Sequence, residues 1–122
     1  MRSAALLFAF GCLLAAAEVA LRAWQAHGLT QTLDSEGLHL FETARSHQFG
    51  IALGLMICGL RGRENLRWLW RAAAASFLVG WALFCGDVTV AAFREGHATW
   101  GVAPWGGTAT MLAWLLLGAD AL

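Results

Sequence analysis

The sequence predicts an all-α integral membrane bundle of about four transmembrane helices with cytoplasmic N and C termini, and three observations carry that expectation. Hydrophobic residues make up 59% of the 122-residue chain and charged residues only 13%, with a mean hydropathy of +0.60. A soluble domain of this size has too little interior to hide so much apolar surface. The apolar residues fall into four runs, each near the ~20 residues needed to cross ~30 Å of hydrocarbon. The single proline, Pro104, leaves the rest of the chain free of strong helix breakers. One transmembrane domain over 1–122 is the simplest division. With Lys+Arg 8 against Asp+Glu 8, no basic excess is available to hold a nucleic acid.

The first run, about 4–24, follows Arg2 directly and invites comparison with a secretory leader ending near Ala15, Ala16 and Ala17. It outlasts the usual leader core, so we read it as a retained span. The second span is expected at about 40–60, the third at about 68–93 and the fourth at about 105–122. Thr30, Gln31, Asp34, Ser35 and Glu36 mark one polar connection, and the stretch from Arg94 to Pro104 marks another on the same side. The middle connection, from Arg61 to Arg67 with Arg71 just beyond, holds the only cluster of positive charge. By the positive-inside rule that connection is cytoplasmic, which fixes both termini there and makes a multi-pass protein of the bacterial inner membrane. Trp24, Trp68, Trp70, Trp100 and Trp105 fall near span ends, where an amphipathic ring sits at headgroup level; Trp81 and Trp114 do not fit that role. Gly50, Gly54 and Ala72 to Ala75 supply small surfaces for close helix packing.

Intramembrane polar residues are expensive in lipid and therefore mark candidate sites. Counted at ~1.5 Å per residue, they collect in the outer half: Glu18 and Arg22 on the first span, Glu42, Arg45, His47 and Gln48 on the second, Asp87 with Thr89 on the third. Glu18 and Arg22 lie four apart, and Glu42 and Arg45 three apart, so each pair can neutralise itself on one helix face. We rank that structural role above a proton or ion pathway. Asp87 has no opposite charge within a turn, and Arg22 or Arg45 from a neighbouring helix is its expected partner. His27, His39, His47 and His97 all lie on the outer side without the i, i+4 spacing of a helical metal site, and no metal site is expected. His47 is the best placed of them to ligate a haem or chlorophyll, a role ranked well below simple hydrogen bonding; no cofactor is expected. Cys12, Cys58 and Cys85 form no disulfide or metal pattern.

The order Ala26-His27-Gly28-Leu29, Leu40-Phe41 with Ala44 and Gln48, Leu83-Phe84-Cys85-Gly86 and Ala103-Pro104-Trp105-Gly106-Gly107 resembles the YgdD-like family of small membrane proteins, which has mitochondrial relatives and no assigned function. The likeness runs from His27 onward and implies a four-span protein. His27, Gln48, Gly86, Pro104, Gly106 and Gly107 are the positions that carry it. The chain departs from the family at Ile51, where a His is usual, and at Asp87 and Thr89, which replace a Ser and a Tyr.

No nucleophile elbow, zincin helix or phosphate-cradling loop is present in the sequence, so no catalytic residues are assigned and an enzyme is the least favoured class. Two classes remain. One is a non-catalytic accessory or assembly subunit that packs against larger membrane proteins within the lipid bilayer. The alternative is a small ion, proton or solute transporter that uses the outer-half polar cluster.

Overall fold

The computed structural model describes residues 2–64 and 67–122. Asn65 and Leu66, which belong to the middle connection, lie outside the described residues. Four helical rods follow one another: α1, Arg2–His27; α2, Ser35–Glu64; α3, Leu69–Phe93; and α4, Ala103–Ala121. A 3-10 turn, Leu29–Gln31, extends α1. The third rod covers 69–93, where the sequence leads one to expect a helix over about 68–93. The second is longer than expected at both ends, and Asp34 sets its early start: its Oδ1 accepts the Gly37 N–H at 2.8 Å, which draws Ser35 and Glu36 into the first turn.

Length and hydropathy separate the rods. Arg2–Gln31 and Leu69–Phe93 are each long and apolar enough to cross a membrane. At ~1.5 Å per residue, α2 and α4 reach about 45 and 28 Å. Glu42, Arg45, His47 and Gln48 dilute the apolar content of α2, and Gly106, Gly107, Thr108, Thr110 and Asp120 dilute that of α4.

The rods form two hairpins. α1 lies along α2, α4 lies along α3, and the hairpins join where α2 meets α3. Close backbone approach sets the first crossing: a Cβ on Gly11 would come within 2.7 Å of the Ala52 carbonyl, and one on Gly59 within 2.7 Å of the Ala4 carbonyl. The α3–α4 crossing repeats the device at Gly80, where a Cβ would meet the Gly106 carbonyl at 2.9 Å. The core between the hairpins is built from Leu14, Ile51, Leu55, Phe77, Ala113 and Leu117, with the Phe77 ring seated on Gly54. Gly50, expected to serve packing as well, faces open space. At the far end Trp24, Phe41 and Phe93 form an aromatic cluster with centroids 5.9 Å apart.

One tryptophan expectation is revised. Trp70 is buried, its ring lodged against Gly62, because the glycine leaves a slot at that level. Trp81 lies edge-on to Phe10 at 5.6 Å and so ties α1 to α3. Trp24, Trp68, Trp100 and Trp105 are exposed.

The α3 rod carries one irregularity, a π segment at Trp81–Cys85. The wider turn shifts the face that α3 presents to α2. Trp81, Phe84 and Cys85 in that segment all contact polar groups of α2.

Candidate functional site

The zero net charge conceals an axial asymmetry. Arg2, Arg61, Arg63, Arg67 and Arg71 lie toward the end of the bundle that holds the middle connection, against Glu64 and Asp120. Toward the opposite end lie Arg22, Arg45 and Arg94 against six carboxylates, Glu18, Asp34, Glu36, Glu42, Asp87 and Glu95. We call these the basic and acidic ends.

In the acidic half, Glu18 is only 3% exposed and forms a short, buried ion pair with Arg45 across the α1–α2 contact. The same carboxylate takes Arg22 Nη2 at 3.2 Å. Arg45 also donates from Nε to Gln25 Oε1 at 3.1 Å and lies 3.7 Å from Glu42. Both local pairs read from the sequence therefore form, and the cross-helix pair joins them into one network. A buried guanidinium with several acceptors retains little uncompensated charge.

Gln48, one turn further along α2, is a bridge between three helices. Its Nε2 donates to the Leu14 carbonyl at 3.2 Å, and its Oε1 accepts Trp81 Nε1–H at 3.0 Å. His47 points to a different neighbour. Its Nε2 lies 3.0 Å from Thr110 Oγ1, whose hydroxyl donates to the Gly106 carbonyl at 2.9 Å. With that hydrogen committed, the hydroxyl oxygen accepts from His47 Nε2–H. The imidazole lies on the Phe84 ring at 4.0 Å, so both Nε2 and the ring face are engaged within the bundle.

Asp87 does not meet Arg22 or Arg45, and this corrects the expected partner. It is 2% exposed and accepts three backbone N–H groups, from Trp100 at 2.7 Å, Val102 at 3.1 Å and Ala103 at 3.0 Å. Gly101, at φ +82°, turns the chain so that these amides converge. α4 has no side-chain cap of its own; Asp87, reaching from α3, serves as one and sets a negative charge against the positive end of the helix dipole.

The family-like positions divide similarly. Gly106 is buried where a Cβ would strike the Phe84 backbone, and Pro104 occupies the first turn of α4, where its missing N–H costs nothing. Gly107 has its nearest neighbour at 4.0 Å and Gly86 faces open space. His27 is exposed in the last turn of α1.

Two sites were missed in the sequence. At the basic end Asp120 is fully buried: Arg61 Nε reaches its Oδ2 at 2.8 Å, while Arg61 and Arg67 each donate to its backbone carbonyl at 3.0 Å. The available signal was a carboxylate closing an apolar span on the side that the arginine cluster occupies. At the acidic end His97 links the two connections. Its Nε2 meets Asp34 Oδ1 at 2.8 Å, its Nδ1 lies 3.0 Å from the Ala91 carbonyl, and its backbone sits at φ 55°. The Ala91 carbonyl, and then the Asp34 carboxylate, raise the His97 pKa; the Gly37 N–H, and then His97, lower that of Asp34.

Surface clefts open beside some of these groups and away from others. One, of about 720 Å³, runs between the basic-end halves of α1 and α3. Another, of about 410 Å³, separates the acidic-end connections, and a third, of about 280 Å³, lies beside Gln48 and Trp81. Glu18, Arg45, His47 and Asp87 line none of the three.

Comparison with known proteins adds the family. The chain is similar to a UPF0382 membrane protein of Haemophilus influenzae, 28% identical over 99 residues that cover 81% of this chain and 79% of the relative. UPF0382 membrane proteins of Staphylococcus epidermidis and Staphylococcus saprophyticus are each 29% identical, the first over 88% of this chain and 87% of its own length, the second over 88% of both. No solved structure matches. The family model described as "Protein of unknown function (DUF423)" matches residues 21–107, which bears out the resemblance read from the residues. This chain belongs to the DUF423, or UPF0382, family of membrane proteins.

Proposed function

We propose that the chain is a small, non-catalytic four-span bundle of the bacterial inner membrane, with both termini cytoplasmic, that serves as an accessory or assembly subunit packing laterally against larger membrane proteins. The observation that carries this reading is the internal consumption of its buried charge. Glu18 is spent on Arg45, Asp87 on three backbone amides and Asp120 on Arg61. A transport route needs polar groups that a passing ion can reach and leave; the buried carboxylates here are engaged within the bundle, with Asp120 Oδ1 left without a hydrogen-bond partner. The outward surface suits lateral contact: Trp105, Met111 and Leu115 of α4 are each more than 60% exposed, and aromatic and Met side chains are favoured in protein interfaces.

The test is purification from native membranes into nanodiscs, followed by native mass measurement and identification of what co-purifies. A stoichiometric complex with larger membrane subunits is expected. A lone monomer or homo-oligomer sinks the reading and moves ion-flux assays of Glu18, His47 and Asp87 variants to the front.

A further inference from the structure

The largest of the clefts described above has an aromatic contact at one end and charge at the other. Leu6, Leu7, Phe10, Ala74, Ala75 and Leu78 make its walls, and toward the acidic half the lining ends at Phe10, whose ring meets Trp81 at 5.6 Å. Its mouth holds Ser3 and Arg71. Arg71 is exposed, its guanidinium lies over the Trp70 ring at 5.2 Å, and it has no carboxylate partner among the described residues. Arg2, next to Ser3, is likewise exposed. From Ser3 to Phe10 the cleft is about 10 Å deep at ~1.5 Å per residue.

We infer that this cleft is a binding site for an anionic phospholipid, with an acyl chain along Leu7 and Ala74 and the phosphate at Arg71. The inference rests on the membrane-spanning reading above. Two features favour a lipid over a partner helix. A helix is ~10–12 Å across and must continue for ~30 Å to span, well beyond the length of this lining; an acyl chain needs only a short slot. The charge also complements: the basic end faces a leaflet that attracts arginine through its anionic headgroups, and Arg71 is the basic residue that lines the cleft itself.

The experiment uses the purified full chain in nanodiscs of phosphatidylcholine with or without phosphatidylglycerol. Lipid retained in native mass spectra is counted, and a phosphatidylglycerol carrying a photoreactive group on its acyl chain maps contacts. The expected result is retention of phosphatidylglycerol over phosphatidylcholine by about fivefold, the effect of one basic side chain near the headgroups, with labels on Leu7 and Ala74. Arg71→Gln abolishes the preference while leaving the labels. Ala75→Trp, at an exposed position on the cleft wall, removes the labels without altering the melting temperature. Equal retention of the two lipids, labels absent from Leu7 and Ala74, or labels unchanged in Ala75→Trp each overturn the inference. Co-purification decides the accessory-subunit reading separately, since the labelling needs no partner.

Discussion

The α1–α2 and α3–α4 hairpins each bury a carboxylate in the acidic half of the bundle, and the two are neutralised differently. Glu18 is answered by a guanidinium from the facing helix; Asp87 is answered by peptide N–H groups at the start of α4. A charge pair demands that two side chains both be present, whereas a helix terminus supplies its donors whatever the side chains are. The first arrangement thus depends on two residues and the second on one residue and a backbone shape.

This difference predicts the largest effect at the ion pair. Glu18→Ala leaves Arg45 buried without its main counter-ion and should cost about 3–5 kcal/mol, read as a lowered unfolding midpoint in detergent. Glu18→Ala combined with Arg45→Leu should recover most of that loss, because no charge then remains to be paired. A double variant as unstable as the single one would show that the network contributes by shape rather than charge.

Asp87→Asn removes the charge, and its amide nitrogen confronts donors with another donor. The expected loss is about 1–3 kcal/mol, together with faster amide exchange at Trp100, Val102 and Ala103. An unchanged melting temperature and unchanged exchange would mean that α4 caps itself.

Gly106→Ala tests the backbone approach that the second hairpin uses. Overpacking of about 1–3 kcal/mol is offset by the ~1 kcal/mol that Ala gains over Gly within a helix, so a modest net destabilisation is expected. Gly107→Ala, with room around it, should be neutral or slightly stabilising. Equal effects at the two positions would refute the geometric account.

The smallest effect belongs to the exposed His97–Asp34 contact that ties the two hairpins. The His97 pKa is raised, so its contribution is complete below its ordinary value near 6.5 and is lost as pH climbs through the raised one. The Asp34 pKa is depressed, so its contribution is complete above about 3.9 and is lost as pH falls through the lower value. Amide protection in 94–102 should therefore be greatest between roughly pH 4 and 6.5 and decline on both sides. His97→Ala should flatten that profile; a bell surviving the substitution would assign it to other groups.

The sequence made the helices legible because hydropathy and length are local properties that add along the chain. It also made legible the two local pairs, Glu18 with Arg22 and Glu42 with Arg45, since i, i+3 and i, i+4 neighbours meet on any helix. Trp70 was misread because depth along a helix does not reveal whether a glycine such as Gly62 opens a slot beside it. Asp120 was overlooked because its partner Arg61 lies 59 positions away, and no local pattern joins them.

The sequence by itself determined a strongly apolar, four-helix chain with its arginines gathered toward one end, and a resemblance that the family match upholds. Only the tertiary structure decided that Arg45 answers Glu18, that Asp87 caps α4, and that His47 and Gln48, adjacent in the chain, serve different helices. The reason is angular. Neighbours on a helix diverge by about 100°, and which element each one meets depends on how the rods cross and on the wider turn at Trp81–Cys85, both set by packing between distant residues.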